Sequence, residues 1–194
     1  MARAFAIGSA APFLVSLRVA GVLLGIELID LLLPLGLDRF GIRPREWIGL
    51  EGVIFAPLLH QGFGHVVSNI GPLLALMPLL LGDRRQRPWM VLGFIWIMGG
   101  LGTWLLGRGG AIHIGASGVV YGIAAYLVFA GIFGSSWKAT LIAIVVVLVY
   151  GGMVHGLLPQ TGPVSWEGHL VGAASGVIAA WRNRSRIKSK PLIS

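Results

Sequence analysis

Six long apolar stretches dominate this sequence and limit the folds that it can adopt. They cover approximately residues 12–37, 65–81, 89–106, 114–133, 139–158 and 169–181. A helix that crosses a bilayer needs about 20 apolar residues, so six such helices take up about 120 residues. The chain has 194 residues, which leaves room for connections and tails only. The sequence therefore predicts an all-α polytopic membrane protein, with one six-helix membrane domain over residues 1–194.

The composition excludes the other broad classes of protein. Charged residues make up 11% of the chain and hydrophobic residues 56%. A soluble domain contains roughly 25% charged residues, so this chain lacks the polar surface that such a domain needs. Disorder requires low hydrophobicity and is excluded as well. The chain has no cysteine, which rules out disulfides, thiolate metal sites and cysteine nucleophiles.

The distribution of basic residues predicts the orientation of the bundle. The N-terminus, the second and fourth connections and the C-terminal tail together carry ten lysines and arginines, whereas the other connections carry four. This excess predicts that both termini are cytoplasmic. A short segment of about residues 1–11 and a basic tail of about residues 182–194 flank the domain, and the tail is expected to face anionic membrane lipids. Nucleic acid is not a predicted partner, since no basic stretch is interleaved with aromatic residues for base stacking.

Two features of the apolar stretches concern packing. Glu27 and Asp30 lie in the first stretch, where charges are costly, and they are expected to pair or to snorkel near the helix end. Gly168, Gly172 and Gly176 recur every four residues in and before the sixth stretch. Small residues let membrane helices approach closely, so this stripe predicts tight packing on a neighbouring helix.

Polar side chains cluster at the beginnings of the second, fourth and sixth stretches. With both termini inside, all three beginnings lie on the outer side, and the side chains lie within one or two helical turns of that end. Buried polar groups in lipid need partners, so we expect these residues to partner one another. The residues are His60, His65, Asn69, His113, Ser117 and His169.

Ser117 is the candidate nucleophile of this layer. It lies in the sequence GASG at residues 115–118, where small neighbours leave its hydroxyl accessible. The beginning of a helix also offers free N–H groups that can stabilise an oxyanion. His169 could take the serine proton as a general base. Taken singly, each residue has another interpretation, since a membrane serine often bonds its own backbone and a histidine can serve in packing or proton relay.

A metal site is the main alternative use of the histidines. His60, His65 and His169 have the residue types of a zinc site. However, His60 and His65 are five residues apart, which points them roughly 140° apart on a helix. No carboxylate is clearly nearby, and no glycine-rich phosphate loop is present. We therefore predict no metal and no cofactor.

Three motifs, taken together and in order, resemble those of the rhomboid family of intramembrane serine proteases. They are HQGFGH at residues 60–65 with Asn69, GASGVVYG at residues 115–122, and GHLVG at residues 168–172 with Gly176. The resemblance extends from about residue 41 to residue 181. It departs from the family at one point, because the Trp-Arg pair that many members carry in the first connection is missing. Either Arg43 and Arg45 substitute structurally for that pair, or the first connection differs from that of the family.

The resemblance implies a catalytic role for four of these residues. Ser117 would be the nucleophile and His169 the general base of a dyad that has no acidic member. His65 and Asn69, together with the backbone N–H of Ser117, would stabilise the oxyanion. Inactive relatives lack the serine or the histidine, and this chain has both.

Supporting roles follow from the same resemblance. Tyr121 would stack against His169 and orient it, Gly115 would keep the backbone clear at the nucleophile, and His60 would support the polar pocket. Glu167 is two residues from His169 and therefore lies on another face of the helix, which makes it a poor third member.

The expected function is hydrolysis of peptide bonds in or near the transmembrane segments of other membrane proteins. The fold would be a six-transmembrane-helix rhomboid-like bundle in a bacterial-type plasma membrane, with the fifth span and the fifth connection as substrate gate and cap. The alternative is a non-catalytic rhomboid-like protein that binds or escorts membrane segments. A small transporter with a histidine proton relay is a further rival. Transporters often show inverted repeats and a midplane site, whereas this polar layer lies near one face and no repeat is visible.

Overall fold

The structure, a computed structural model, describes residues 10–134, 136–162 and 164–188. Over these ranges the chain forms helices and connections without a β-strand, which confirms the all-α prediction for the described part of the chain. The extreme N-terminal residues 1–9 and the tail residues 189–194 lie outside the described residues. Seven α-helices are present in the described ranges: α1 Ala11–Leu32, α2 Gly52–Phe55, α3 Phe63–Leu81, α4 Pro88–Leu106, α5 Ser117–Phe133, α6 Trp137–Tyr150 and α7 Trp166–Lys188.

Within the described part of the chain, four helices are long and apolar enough to cross a bilayer. They are α1, α3, α4, and α6 together with the 3-10 helix that continues it to Leu157. Helix α5 is apolar, but its 17 residues are fewer than the about 20 that a spanning helix usually has. Helix α7 has 23 residues, and its last turns carry arginines and a lysine. The number of helices that cross the membrane and the orientation of the termini therefore stay predictions.

The helix ends differ from the ends of the apolar stretches for local reasons. The first helix ends at Leu32, since Pro34 follows closely and cannot continue a helix. Helix α6 ends at Tyr150, and residues Gly151–Leu157 continue as a 3-10 helix that begins with two glycines. Helix α7 extends beyond the predicted stretch at both ends, because charged residues interrupt hydropathy without interrupting a helix.

Helix α5 lies at the centre of the bundle and packs most extensively on α7. The approach is close because glycines face each other: a Cβ atom on Gly172 would overlap the carbonyl oxygen of Gly118, and one on Gly176 would overlap that of Gly122. The predicted packing of the glycine stripe on a neighbouring helix is therefore confirmed. This contact aligns the first turns of α5 and α7, where Ser117 and His169 lie.

The first connection forms a scaffold behind the beginning of α5. Its Ile42 exchanges two backbone hydrogen bonds of 2.9 Å with His113 in the connection that precedes α5. The guanidinium of Arg45 donates to the carbonyl oxygens of Leu105 at 3.0 Å and Gly107 at 2.8 Å, where α4 ends. These bonds satisfy carbonyls that the end of a helix leaves free. Arg45 thus fastens the first connection to the chain that leads into Ser117.

Candidate active site

The candidate site is built around a hydrogen bond between two helix beginnings. Ser117 is the first residue of α5, and His169 lies in the first turn of α7. The Oγ atom of Ser117 lies 2.8 Å from Nε2 of His169. This distance is that of a well-formed hydrogen bond between a hydroxyl and an imidazole nitrogen.

Two further contacts hold the ring of His169. Its Nδ1 atom lies 3.0 Å from the carbonyl oxygen of Gly156, in the 3-10 continuation of α6. A carbonyl oxygen can only accept, so Nδ1 carries the proton and Nε2 of the neutral ring is left to accept from Ser117. The ring of Tyr121 stacks on the imidazole, with centroids 4.2 Å apart and planes inclined by 12°. The Tyr121 hydroxyl in turn donates to the carbonyl of Met153 at 2.9 Å.

The backbone before Ser117 is shaped by Gly115. This residue has φ +110°, a value that side-chain-bearing residues rarely adopt. A Cβ atom there would lie 2.7 Å from Nε2 of His65, so only glycine leaves room for that imidazole. The Gly115 N–H donates to the carbonyl of Ala56 at 2.9 Å. As the first helical residue, Ser117 keeps an N–H that lies outside the hydrogen bonds of its own helix.

His65 and Asn69 lie beside this backbone, on α3. The Nδ1 atom of His65 accepts from the N–H of Gln61 at 3.3 Å, which puts the proton on Nε2, the nitrogen that faces Gly115. The buried amide of Asn69 donates to the His65 carbonyl at 2.9 Å and retains a second N–H. His65 and Asn69 are four residues apart and therefore share one side of α3, and from this side His65 approaches Gly115.

His60 lies closer to His65 than helical geometry predicted. The two rings meet edge to face with centroids 5.1 Å apart. The divergence of roughly 140° expected for a helix does not occur, because α3 begins only at Phe63 and His60 precedes it. The Nε2 atom of His60 accepts from the N–H of Ala116 at 3.2 Å. Burial, and to a smaller extent His65, lowers the pKa of His60 to about 4, so the ring stays neutral and can accept this bond.

His113 belongs to the predicted layer, but its hydrogen bonds go to partners other than Ser117 and His169. Its ring lies 2.6 Å from Oγ of Ser165 and 3.2 Å from the carbonyl of Arg108. Burial lowers the pKa of His113 below its usual value. His113 therefore links the connection before α5 to the connection before α7.

Glu167 takes part in the same linkage. Its carboxylate accepts from the backbone N–H of Arg108 at 3.3 Å and lies 3.9 Å from the Arg108 guanidinium. Arg108 also donates to the carbonyl of Val164 at 2.6 Å. The Nδ1 position of His169, where an acidic third member would bond, is held by Gly156 instead.

The two acidic residues of α1 find partners near its end. One carboxylate oxygen of Glu27 accepts from the N–H of Gly62 at 2.7 Å, just before α3. Asp30 accepts from the N–H of Leu37 at 3.1 Å. The prediction that these residues pair near the helix end is confirmed.

Sequence reasoning missed the positions that act through their backbone. Gly156 accepts a hydrogen bond from His169 through its carbonyl, a group that every residue has, so the sequence did not single it out among the 30 glycines. Arg108 counts in the sequence only as a basic residue of a connection. Its partners, Glu167 and Val164, lie more than 50 residues away in the chain, so the sequence did not connect them. The sequence also did not predict a small cavity of about 40 Å³ next to Ser117, which Thr103, His113 and Ser165 also line. Among the described residues, no group of three histidine and acidic side chains is arranged to hold a metal ion.

Comparison with known proteins identifies relatives of this chain. The sequence model of the Rhomboid domain matches residues 45–186. An uncharacterised protein of Mycobacterium tuberculosis is 46% identical over 164 residues, which cover 80% of this chain and 68% of that protein. An uncharacterised protein of Mycobacterium bovis matches with the same figures. An uncharacterised protein of Mycobacterium leprae is 41% identical over 165 residues, or 80% of this chain and 65% of that protein.

Proposed function

This chain is an integral membrane protein of the rhomboid family, and from that premise we propose that it is an intramembrane serine endopeptidase. Ser117 is the nucleophile and His169 the general base. The observation that carries the proposal is the 2.8 Å contact between Ser117 Oγ and His169 Nε2. The other ring nitrogen, Nδ1, donates to the Gly156 carbonyl, so Nε2 can accept the serine proton. A serine bound only to its own backbone would not have this partner.

The first half of the reaction forms an acyl-enzyme. Ser117 Oγ attacks the scissile carbonyl carbon, and its proton passes to His169 Nε2. The carbon–nitrogen bond of the tetrahedral intermediate then breaks, and the same proton moves from Nε2 to the leaving amine. The substrate's acyl part remains as an ester on Ser117.

The negative charge that develops on the carbonyl oxygen meets three donors. These are the N–H of Ser117, Nε2–H of His65 and the free N–H of the Asn69 amide. Donors that are already oriented towards developing charge in a site sheltered from water lower the barrier more than flexible ones do. Gly115 supports this arrangement, since it lets the His65 ring lie against the backbone beside the nucleophile.

Hydrolysis of the ester completes the cycle. A water molecule attacks the acyl carbon while His169 takes its proton, and Ser117 Oγ leaves with that proton restored to it. The cavity of about 40 Å³ beside Ser117 is large enough to hold water, which needs about 10–15 Å³ per molecule by this measure. Its hydroxyl and imidazole lining offers such water hydrogen-bond partners.

The substrates are transmembrane segments of other membrane proteins. We infer six membrane-spanning helices, α1 and α3–α7, with both termini cytoplasmic and the dyad near the outer face of a bacterial plasma membrane. A helix hides its carbonyls in hydrogen bonds, so substrates with Gly or Pro near the cleavage site are preferred. Access lies at α6, whose buried residues are limited to Ala143 and Val146 and most of whose exposed side chains are apolar.

The test is cleavage of a single-span substrate by purified protein in detergent. Ser117→Ala and His169→Ala should abolish cleavage, and labelling of Ser117 by a fluorophosphonate should disappear with Ser117→Ala. Ser185→Ala, an exposed position on the last turns of α7, is the matched control and should behave as the wild type. Cleavage that survives in Ser117→Ala would eliminate the proposal.

The fluorophosphonate also separates the protease from the protein that only escorts membrane segments. Only a serine activated by a neighbouring base reacts with this probe at a useful rate. Wild-type protein that binds membrane segments, cleaves none and leaves Ser117 unlabelled would be an escort.

A further inference from the structure

We propose that Gly156 is the positioning residue of the dyad, a role that rests on the proposed function of Ser117 and His169. Its backbone carbonyl holds His169 in the tautomer that can act as a base. The absence of its side chain lets Tyr121 and His169 stack. The third member of the constellation is thus a peptide carbonyl of the 3-10 segment that follows α6, rather than an acidic side chain.

Two hydrogen bonds join the 3-10 segment Gly151–Leu157 to the Tyr121–His169 stack. The Gly156 carbonyl accepts from His169 Nδ1 at 3.0 Å, and the Met153 carbonyl accepts from the Tyr121 hydroxyl at 2.9 Å. Both acceptors belong to one turn of the same segment. The segment therefore fixes both rings of the stack, and the position of one ring depends on the other.

The carbonyl matters because a neutral imidazole has two tautomers. Only the form with the proton on Nδ1 leaves Nε2 free to take the proton of Ser117. When His169 becomes a cation during the reaction, its Nδ1–H bond to the Gly156 carbonyl becomes charge-assisted and therefore stronger. The carbonyl thus favours the charged ring, as a carboxylate does in a catalytic triad, without bringing a buried negative charge.

The glycine matters because position 156 has no room for a side chain. A Cβ atom there would overlap the hydroxyl oxygen of Tyr121 and lie 3.3 Å from His169 Nδ1. Gly152, four residues earlier, has no atom within 4 Å of an added Cβ and is exposed. The two glycines of the same 3-10 segment therefore provide a matched pair, one against the dyad and one away from it.

The experiment compares four variants by kcat and KM on the same single-span substrate. Gly156→Ala should lower kcat about 10²-fold, as expected for a small misplacement of a reacting group, and leave KM within about two-fold. Gly152→Ala should retain wild-type kcat. Tyr121→Phe keeps the stacked ring but loses the hydroxyl bond to the Met153 carbonyl, so its kcat should fall by less than that of Gly156→Ala, and it is the reference for the double variant. Gly156→Ala/Tyr121→Phe should recover at least about ten-fold over Gly156→Ala, since the hydroxyl that the new methyl overlaps has been removed.

Three results would overturn the proposal. Gly156→Ala with wild-type kcat would show that the position is not critical. Equal losses in Gly152→Ala and Gly156→Ala would show a general effect of stiffening the segment. A double variant no better than Gly156→Ala would show that the damage does not pass through the Tyr121–His169 stack.

A second measurement is independent of proteolysis. Nitrogen-15 NMR of imidazole-labelled protein should show His169 with a protonated Nδ1 at neutral pH, assigned by its loss in His169→Ala. In Gly156→Ala this signal should shift towards the average of two exchanging tautomers, while the other four histidines keep their shifts and report an intact fold. A protonated Nε2 in the wild type would refute the positioning role even if the protein cleaves. A protonated Nδ1 in a protein that never cleaves would instead refute the proposed protease.

Discussion

At the scale of single residues, Asn69 is the side chain whose role can be measured most directly. Its amide has one N–H bonded to the His65 carbonyl and a second available for the oxyanion. We expect Asn69→Ala to lower kcat about 10²-fold, the usual cost of one oxyanion donor, with little change in KM. Steady-state kinetics on a single-span substrate measures both values.

Ser68→Ala is the matched control for this prediction. The Ser68 hydroxyl donates to the same His65 carbonyl at 2.7 Å but is exposed, so its removal should leave kcat unchanged. If Asn69→Ala raised KM and left kcat intact, the amide would bind the ground state of the substrate and not the transition state.

His60 makes the stability of the fold depend on pH. Its pKa is about 4 in the folded protein and about 6.5 in the unfolded chain, so the unfolded chain binds a proton first as the pH falls. The contribution of the neutral His60 ring to the free energy of unfolding is therefore fully present above about pH 6.5. It is lost progressively down to about pH 4, and the loss amounts to roughly 3 kcal/mol.

The measurement is the free energy of unfolding at pH 7.5, 5.5 and 4.5 for wild type and His60→Gln. Glutamine can accept from the Ala116 N–H without titrating, so the variant should lose less stability on acidification. Some dependence should remain, because the pKa of buried His113 is lowered too. Identical pH profiles for the two proteins would contradict the assignment to His60.

The sequence could predict which residue types gather in this site but not how their protons are arranged. Hydropathy and the polar layer pointed to Ser117, His169, His65 and Asn69. The tautomers are set by backbone groups, the Gly156 carbonyl for His169 and the Gln61 N–H for His65. Every residue has such groups, so no residue type in the sequence marks the ones that bond.

At the scale of helices, the contact between α5 and α7 determines how closely Ser117 and His169 approach. A methyl group on Gly172 would overlap the Gly118 carbonyl, and the backbones would have to separate. We expect Gly172→Ala to destabilise the protein by about 1–3 kcal/mol, the usual cost of overpacking. Denaturant titration of the purified protein measures this change.

Gly93→Ala in α4 is the matched control for Gly172→Ala. No atom lies within 4 Å of a Cβ atom at Gly93, and alanine is the better helix former. This variant should be neutral or slightly stabilising. Equal effects of the two substitutions on the free energy of unfolding would mean that the close approach at Gly172 has no special cost, and the glycine stripe would then not set the distance within the dyad.

Helices and connections were unequally predictable from the sequence. The apolar stretches located α3 and α4 within a few residues because apolar runs and helices coincide there. The first connection was not predictable, since its short helices depend on backbone contacts such as that of Gly52, where a Cβ atom would overlap the backbone of Gly41 and Ile42. The Arg45 cap of α4 likewise joins residues 60 or more apart in the chain.

At the scale of the whole molecule, hydrogen bonds secure the central helices at the end opposite to the dyad as well. The hydroxyl of buried Tyr126 on α5 donates to the Gln86 side chain at 2.6 Å. The amide of Asn183 on α7 donates to the Gln86 carbonyl at 2.7 Å and to the Tyr126 oxygen at 2.9 Å. The connection between α3 and α4 is thereby tied to α5 and α7. Helix α6 has few buried residues and can move against this framework at lower cost.

The orientation of this framework decides from which side substrate and water reach Ser117, and the lack of cysteine makes it measurable. Thr161 lies in the connection between α6 and α7, and Ser185 lies near the end of α7; both are exposed. The excess of basic residues on the side of Ser185 predicts that this side is cytoplasmic. A membrane-impermeant maleimide should therefore label Thr161→Cys in intact spheroplasts and Ser185→Cys only after lysis. The reverse pattern would place the dyad near the cytoplasmic face, and its proposed position near the outer face would be wrong.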